Sequence, residues 1–177
     1  MSKTELKKYL KTLSADELVD VILEAYDARK QTKEYFEYYL NPDEKAQVAK
    51  INELIAKEFY PVRGKRKCRA SGIKKAIKEF EKLYPDPRNI VDVKLNFVMA
   101  CVYVAQSYWG LDRLLKPAET MFAEALKNAV DAGILKAKME IVEKVIKLAP
   151  DLEYMLDEAI ESHVISEMMQ TEKKRKK

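Results

Sequence analysis

The sparse placement of glycine and proline constrains this chain more than any other feature. In 177 residues there are four Gly and six Pro, and all but Gly72 fall between stretches of helical period. These residues are the strongest local breaks in regular structure, so their spacing leaves long uninterrupted segments between turns. Ser2 with Glu5 forms a capping-box pattern ahead of Leu6, Tyr9, Leu10 and Leu13. Ser14 with Glu17 repeats it ahead of Leu18, Val21, Ile22 and Ala25. An aromatic helical segment follows, with Tyr35, Phe36, Tyr38, Tyr39 and Leu40. Asn41-Pro42-Asp43-Glu44 reads as a helix start, with Asn41 capping, Pro42 at the first helical position and Glu44 reaching back. Val48, Ile51, Ile55 and Phe59 then form one apolar stripe.

Further along, Ile73, Ile77, Phe80 and Leu83 mark a helix that Tyr84-Pro85-Asp86-Pro87 stops, and Asp86-Pro87 can start the next. Residues 90–108 carry two periods at once. Val91, Val93, Leu95 and Phe97 alternate as in a strand, but the alternation fails after Phe97. Asp92, Asn96, Tyr103 and Ser107 instead line one narrow helical face with apolar residues around the rest, which predicts a largely buried helix. Pro117 opens a helix with Met121, Phe122, Ala125, Leu126, Ala129 and Val130, closed by Gly133 as the residue after the cap. Leu135, Met139, Val142, Val145 and Ile146 make another, and Pro150-Asp151 starts the last.

The expected fold is therefore all-α, with eight or nine helices. Helix starts at Pro42, Pro87 and Ile134 lie 45 and 47 residues apart. That spacing suits helical hairpins in a short HEAT/TPR-like array, with an irregular bundle as the other arrangement. Residues 1–170 read as a single all-helical domain and 171–177 as a basic disordered tail. The start of the chain has no apolar run behind it, and the longest such run, Phe97 to Ala105, is nine residues. A bilayer crossing needs about 20, so a core segment in a cytoplasmic protein without a membrane partner is expected. Cys68 and Cys101 match no paired-cysteine motif and read as reduced thiols.

Charge is distributed unevenly. From Pro61 to Lys78 there are eight basic residues and no acidic one, and Lys173 to Lys177 are all basic. The chain carries +4 in total, so removing these two segments leaves a body of −9. Such asymmetry speaks to partners more than to fold. Arg63, Lys65, Arg66, Lys67 and Arg69 are expected on a loop, and Lys74, Lys75 and Lys78 extend the patch along the next helix. There the Ser71-Gly72 amides add anion-binding donors and Tyr60 offers a ring for stacking. The other reading of the segment is a solvated loop, or one neutralised by the protein's own acidic face.

Other candidates point elsewhere or nowhere. Gly64 is isolated from any phosphate-binding loop pattern. Asp16, Asp20, Glu24 and Asp27 form an acidic stripe, read as the solvated back of an amphipathic helix or a dock for a basic partner. His163 is the sole histidine, and Ile160 occupies the position where a di-iron bundle would place Glu, so no metal role is assigned. Tyr35, Phe36, Tyr38, Tyr39, Phe59 and Tyr60 are expected to pack helix to helix, and Met155, Met168 and Met169 to fill gaps.

Several stretches resemble a family of small bacterial proteins classed as a domain of unknown function. They are Ser2-Lys3-Thr4-Glu5-Leu6-Lys7-Lys8-Tyr9-Leu10, Tyr38-Tyr39-Leu40-Asn41-Pro42, Glu58-Phe59-Tyr60-Pro61, Lys74-Lys75-Ala76-Ile77 and Phe80-Glu81-Lys82-Leu83. Similar members carry an acidic stretch after a Tyr-Gly pair, whereas this chain reads Tyr108-Trp109-Gly110-Leu111-Asp112-Arg113-Leu114. The resemblance implies an all-helical bacterial cytosolic protein and no particular activity.

With no catalytic constellation, metal set or cofactor motif, the expected function is a non-enzymatic interaction module that docks a protein partner on a helical array. The alternative is nucleic-acid or other polyanion binding through residues 63–78, and the oligomeric state stays open.

Overall fold

The computed structural model describes residues 2–162 and 164, and every regular element among them is helical. Two compact units divide at Asp43 and Glu44. The first holds α1 (Lys3–Leu10), α2 (Ala15–Ala28) and α3 (Lys30–Leu40). Both predicted capping boxes are present: Ser2 accepts from the Glu5 amide and Ser14 from the Glu17 amide, each Glu carboxylate accepting in return. Arg29, in extended conformation, is the single residue between α2 and α3. The two helices meet where Tyr26 donates to Glu37 at 3.5 Å and Lys33 sits 5.6 Å over the Tyr26 ring.

The second unit holds α4 (Glu44–Phe59), α5 (Ala70–Glu81), α6 (Pro87–Ser107), α7 (Leu115–Asp131), α8 (Leu135–Leu148) and a final helix, α9, over 153–162. Short 3-10 turns, Asp112–Leu114 and Pro150–Leu152, lead into α7 and α9. Its centre is α6, which packs against α4, α5, α7 and α8. In a stacked repeat array each hairpin touches only its neighbours. Here α6 pairs with α7 and touches α4 and α5 before it and α8 after it, contacts that a short hairpin array and an irregular bundle both make.

The narrow polar face predicted for residues 90–108 explains this role. Asp92, Asn96 and Tyr103 lie on the less buried side, while Val91, Val93, Leu95, Phe97, Val98, Cys101, Val102 and Val104 are buried around the rest. Burial on nearly all sides overrides the strand preference of the β-branched residues. By length and composition alone α6 could cross a membrane. Its apolar surface is instead covered by protein, and it carries Lys94, 1% exposed, with Nζ 2.6 Å from Glu81 and 3.4 Å from both Glu124 and Asn128.

Asn41 and Pro42 do not start α4. Asn41 is the C-terminal cap of α3, its amide donating to the Glu37 carbonyl at 3.0 Å, and α4 begins at Glu44. The Glu44 carboxylate accepts from the Asp86 amide at 3.0 Å and from the Asn89 side chain. A tertiary partner 42 residues away thus displaces the local capping geometry that the Asn-Pro-Asp-Glu pattern favours. Asp86 itself behaves as expected, capping α6 by accepting from the Arg88 amide at 2.7 Å, with Pro87 at the first position. α7 starts at Leu115, two residues before the proline predicted to open it.

Gly133 ends α7 as predicted. Its φ of +66° lets its amide reach the Val130 carbonyl at 2.9 Å while the Ile134 amide reaches Ala129 at 2.8 Å, a Schellman closure. A Cβ at this position would meet nothing within 4 Å, so the backbone alone decides the effect of substitution. Gly133→Ala is expected to lower stability by about 1 kcal/mol, the cost of placing an L side chain in the left-handed region. Chemical denaturation followed by far-UV circular dichroism measures it.

Candidate functional site

The basic segment divides by function once its partners are in place. Residues 60–69 leave the end of α4 and enter α5, and the base of this loop is tied closed. Cys68 adopts a left-handed φ of +51° and donates its amide to the Glu58 carbonyl at 3.1 Å. The Glu58 carboxylate, 5% exposed, takes the Arg69 amide at 3.1 Å and the Arg69 guanidinium at 2.6 to 3.2 Å. The hydrogen bond from the Arg69 side chain is the main reason the Glu58 carboxyl titrates below its ordinary 4.5, against the opposing effect of burial. Arg66 closes the other side. Its guanidinium donates to the Phe59 carbonyl and to the Tyr108 hydroxyl at 3.0 Å, and lies 3.8 Å from the Tyr108 ring centre.

Two of the eight basic residues therefore build the loop. Arg63, Lys65 and Lys67 are exposed on it, and Lys75 and Lys78 are exposed along α5 with Lys74 half-buried beside them. No ion pair involves any of these six among the described residues. The nearest carboxylate on the same helix, Glu79, is held by Lys82 at 2.9 Å. The first turn of α5 has no side-chain cap and no acidic residue, so its amide end adds to the positive potential.

The structure also brings up residues that the linear segment does not contain. Tyr60 packs against Tyr103 of α6 with ring centres 6.1 Å apart, both rings about half in water. Burial, then the neighbouring Tyr103, raises the Tyr60 hydroxyl above its ordinary 10 and keeps it protonated. Tyr108, beneath Arg66, is followed by Trp109, which is fully exposed, as is Val62 on the loop. Arg113 lies close enough for its charge to act on the Cys68 thiol. Asp112, exposed beside Arg113, is the one carboxylate between Trp109 and the following helix. Tyr103, Tyr108, Trp109 and Arg113 come from about 40 residues downstream. The sequence reading did not assign them to a site; Tyr108, Trp109 and Arg113 fall in the Tyr108–Leu114 stretch that departs from the family pattern, and Tyr103 lies outside it.

Neither thiol suits nucleophilic chemistry. Cys68 and Cys101 are buried, burial raises both, and Cys101 is pushed up to about 12. Among the described residues no group of three or more His, Cys, Asp and Glu is placed to hold a metal ion. The acidic stripe Asp16, Asp20, Glu24 and Asp27 is exposed along α2. The aromatic cluster divides: Tyr35 packs with Phe36 and Tyr39 on α3, Phe59 is buried edge-on against Phe97, and Tyr60 joins the loop surface. His163, Met168, Met169 and the basic tail 171–177 lie outside the described residues.

Fold and site together define an all-helical protein with a braced basic loop set against an exposed aromatic rim. The chain belongs to a family of unknown function, DUF6155, whose profile matches residues 1–169. No curated protein and no solved structure matches it significantly.

Proposed function

We propose that this protein is an interaction module that binds an anionic polymer through Arg63, Lys65 and Lys67 on the loop and Lys74, Lys75 and Lys78 on α5. The observation that carries this reading is the division of labour within the segment. Arg66 and Arg69 hold the loop in shape, and the other six cations form no ion pair among the described residues. Unpaired like charges repel one another and are stabilised by a counter-charge of matching extent. A loop tied at both ends presents them without a large ordering cost on binding.

Retention on immobilised heparin, a generic polyanion, tests the reading. The triple variant Arg63→Glu, Lys65→Glu, Lys67→Glu is expected to elute at much lower salt than the wild type. All three side chains are exposed, so its thermal unfolding midpoint stays within a few degrees. Equal elution of the two proteins, or no retention of either, contradicts the proposal. Arg66 is left out of the variant because its reversal would break the loop itself.

A further inference from the structure

We infer that the anionic polymer is single-stranded nucleic acid, with a base stacked on Trp109; this rests on the reading above. A cationic surface alone suits any polyanion, and duplex nucleic acid offers it only phosphates and groove edges. The faces of paired bases are hidden in the stack. Here the cations stand beside aromatic surface that the fold leaves in water. Trp109 is fully exposed, Tyr60, Tyr103 and Tyr108 are about half exposed, and the Arg66 guanidinium lies over the Tyr108 ring, 3.8 Å from its centre. The pair Tyr60–Tyr103 and the pair Arg66–Tyr108 tie this rim to the same loop that carries Arg63, Lys65 and Lys67. Cations that follow a backbone, interleaved with rings that accept unpaired bases, are what sequence-tolerant single-strand binding requires.

Trp109 is the only tryptophan in the chain, so its emission reports directly on this surface. The experiment titrates the unmodified protein with a twelve-residue oligothymidylate, a duplex of equal length, and vesicles containing phosphatidylserine. The oligothymidylate is expected to quench the emission and to bind about tenfold tighter than the duplex. Trp109→Ala, followed by anisotropy of a labelled oligonucleotide, is expected to weaken that binding by about tenfold, the size of one lost base stack. Its elution from heparin stays unchanged. Equal affinity for oligonucleotide and duplex, or no effect of Trp109→Ala, overturns the single-strand inference and leaves the polyanion reading standing. The same holds for a blue shift with vesicles in the absence of oligonucleotide binding, which would assign the rim to a lipid surface. No binding to oligonucleotide, duplex or heparin overturns both.

Discussion

Lys94→Ala is expected to lower the unfolding free energy by about 3 kcal/mol, near the low end of the range for breaking a buried ion pair. The ammonium is 1% exposed and is held by Glu81 from α5, with Glu124 and Asn128 from α7 completing the shell. Removing it leaves two carboxylates facing each other and a void where the stem ran between helices. Glu81 and Glu124 keep partial access to water and can rehydrate, which moderates the loss. Lys94→Met keeps the stem volume and removes only the charge, so its loss is expected to be smaller. The midpoint and slope of urea unfolding measure both variants. A loss under about 1 kcal/mol for the alanine variant would show that this cluster does not join α5, α6 and α7.

Glu58→Ala is expected to cost about 2 kcal/mol at neutral pH. It removes the acceptor of one partly buried amide bond and of the charge-assisted bonds from Arg69. Arg69 is largely exposed and can turn to solvent, so the loss is less than for a fully buried pair. The pH dependence has a definite sign. The folded-state titration of Glu58 lies below its ordinary 4.5, so its contribution is complete above that value. It is lost as pH falls from 4.5 through the depressed folded value. The difference in stability between wild type and Glu58→Ala is therefore expected to narrow below pH 4.5. A difference that stays constant down to pH 3 would mean that Glu58 titrates alike in both states.

The elements that could be read from the sequence are those whose causes are local. The Ser2 and Ser14 boxes, the Asp86-Pro87 start and the Gly133 stop each depend on side chains and backbone within a turn or two. The buried nature of α6 was legible because its polar residues recur on one narrow face. Asn41-Pro42 misled because Glu44, free to reach back locally, is taken by Asp86 and Asn89. Lys94 was illegible for a related reason. A lysine in an apolar run looks like an exposed residue until the carboxylates from two other helices are placed around it. The basic segment was legible as a charge run, but not its partition. Only the fold shows that Arg66 and Arg69 are structural, since one of their partners is Tyr108, 42 residues away.

The salt dependence of binding tests the central claim most directly. For single strands, each neutralised phosphate contributes about −0.7 to the slope of log affinity against log salt. Anisotropy of labelled oligothymidylate between 50 and 300 mM salt, concentrations spanning roughly tenfold or greater changes in affinity for several phosphate contacts, gives that slope for two proteins. The wild type is expected to show a slope steeper than about −2, and the Arg63→Glu, Lys65→Glu, Lys67→Glu variant a slope flatter by about 2. Identical slopes, or a wild-type slope near zero, would contradict the assignment of these residues as the contact surface.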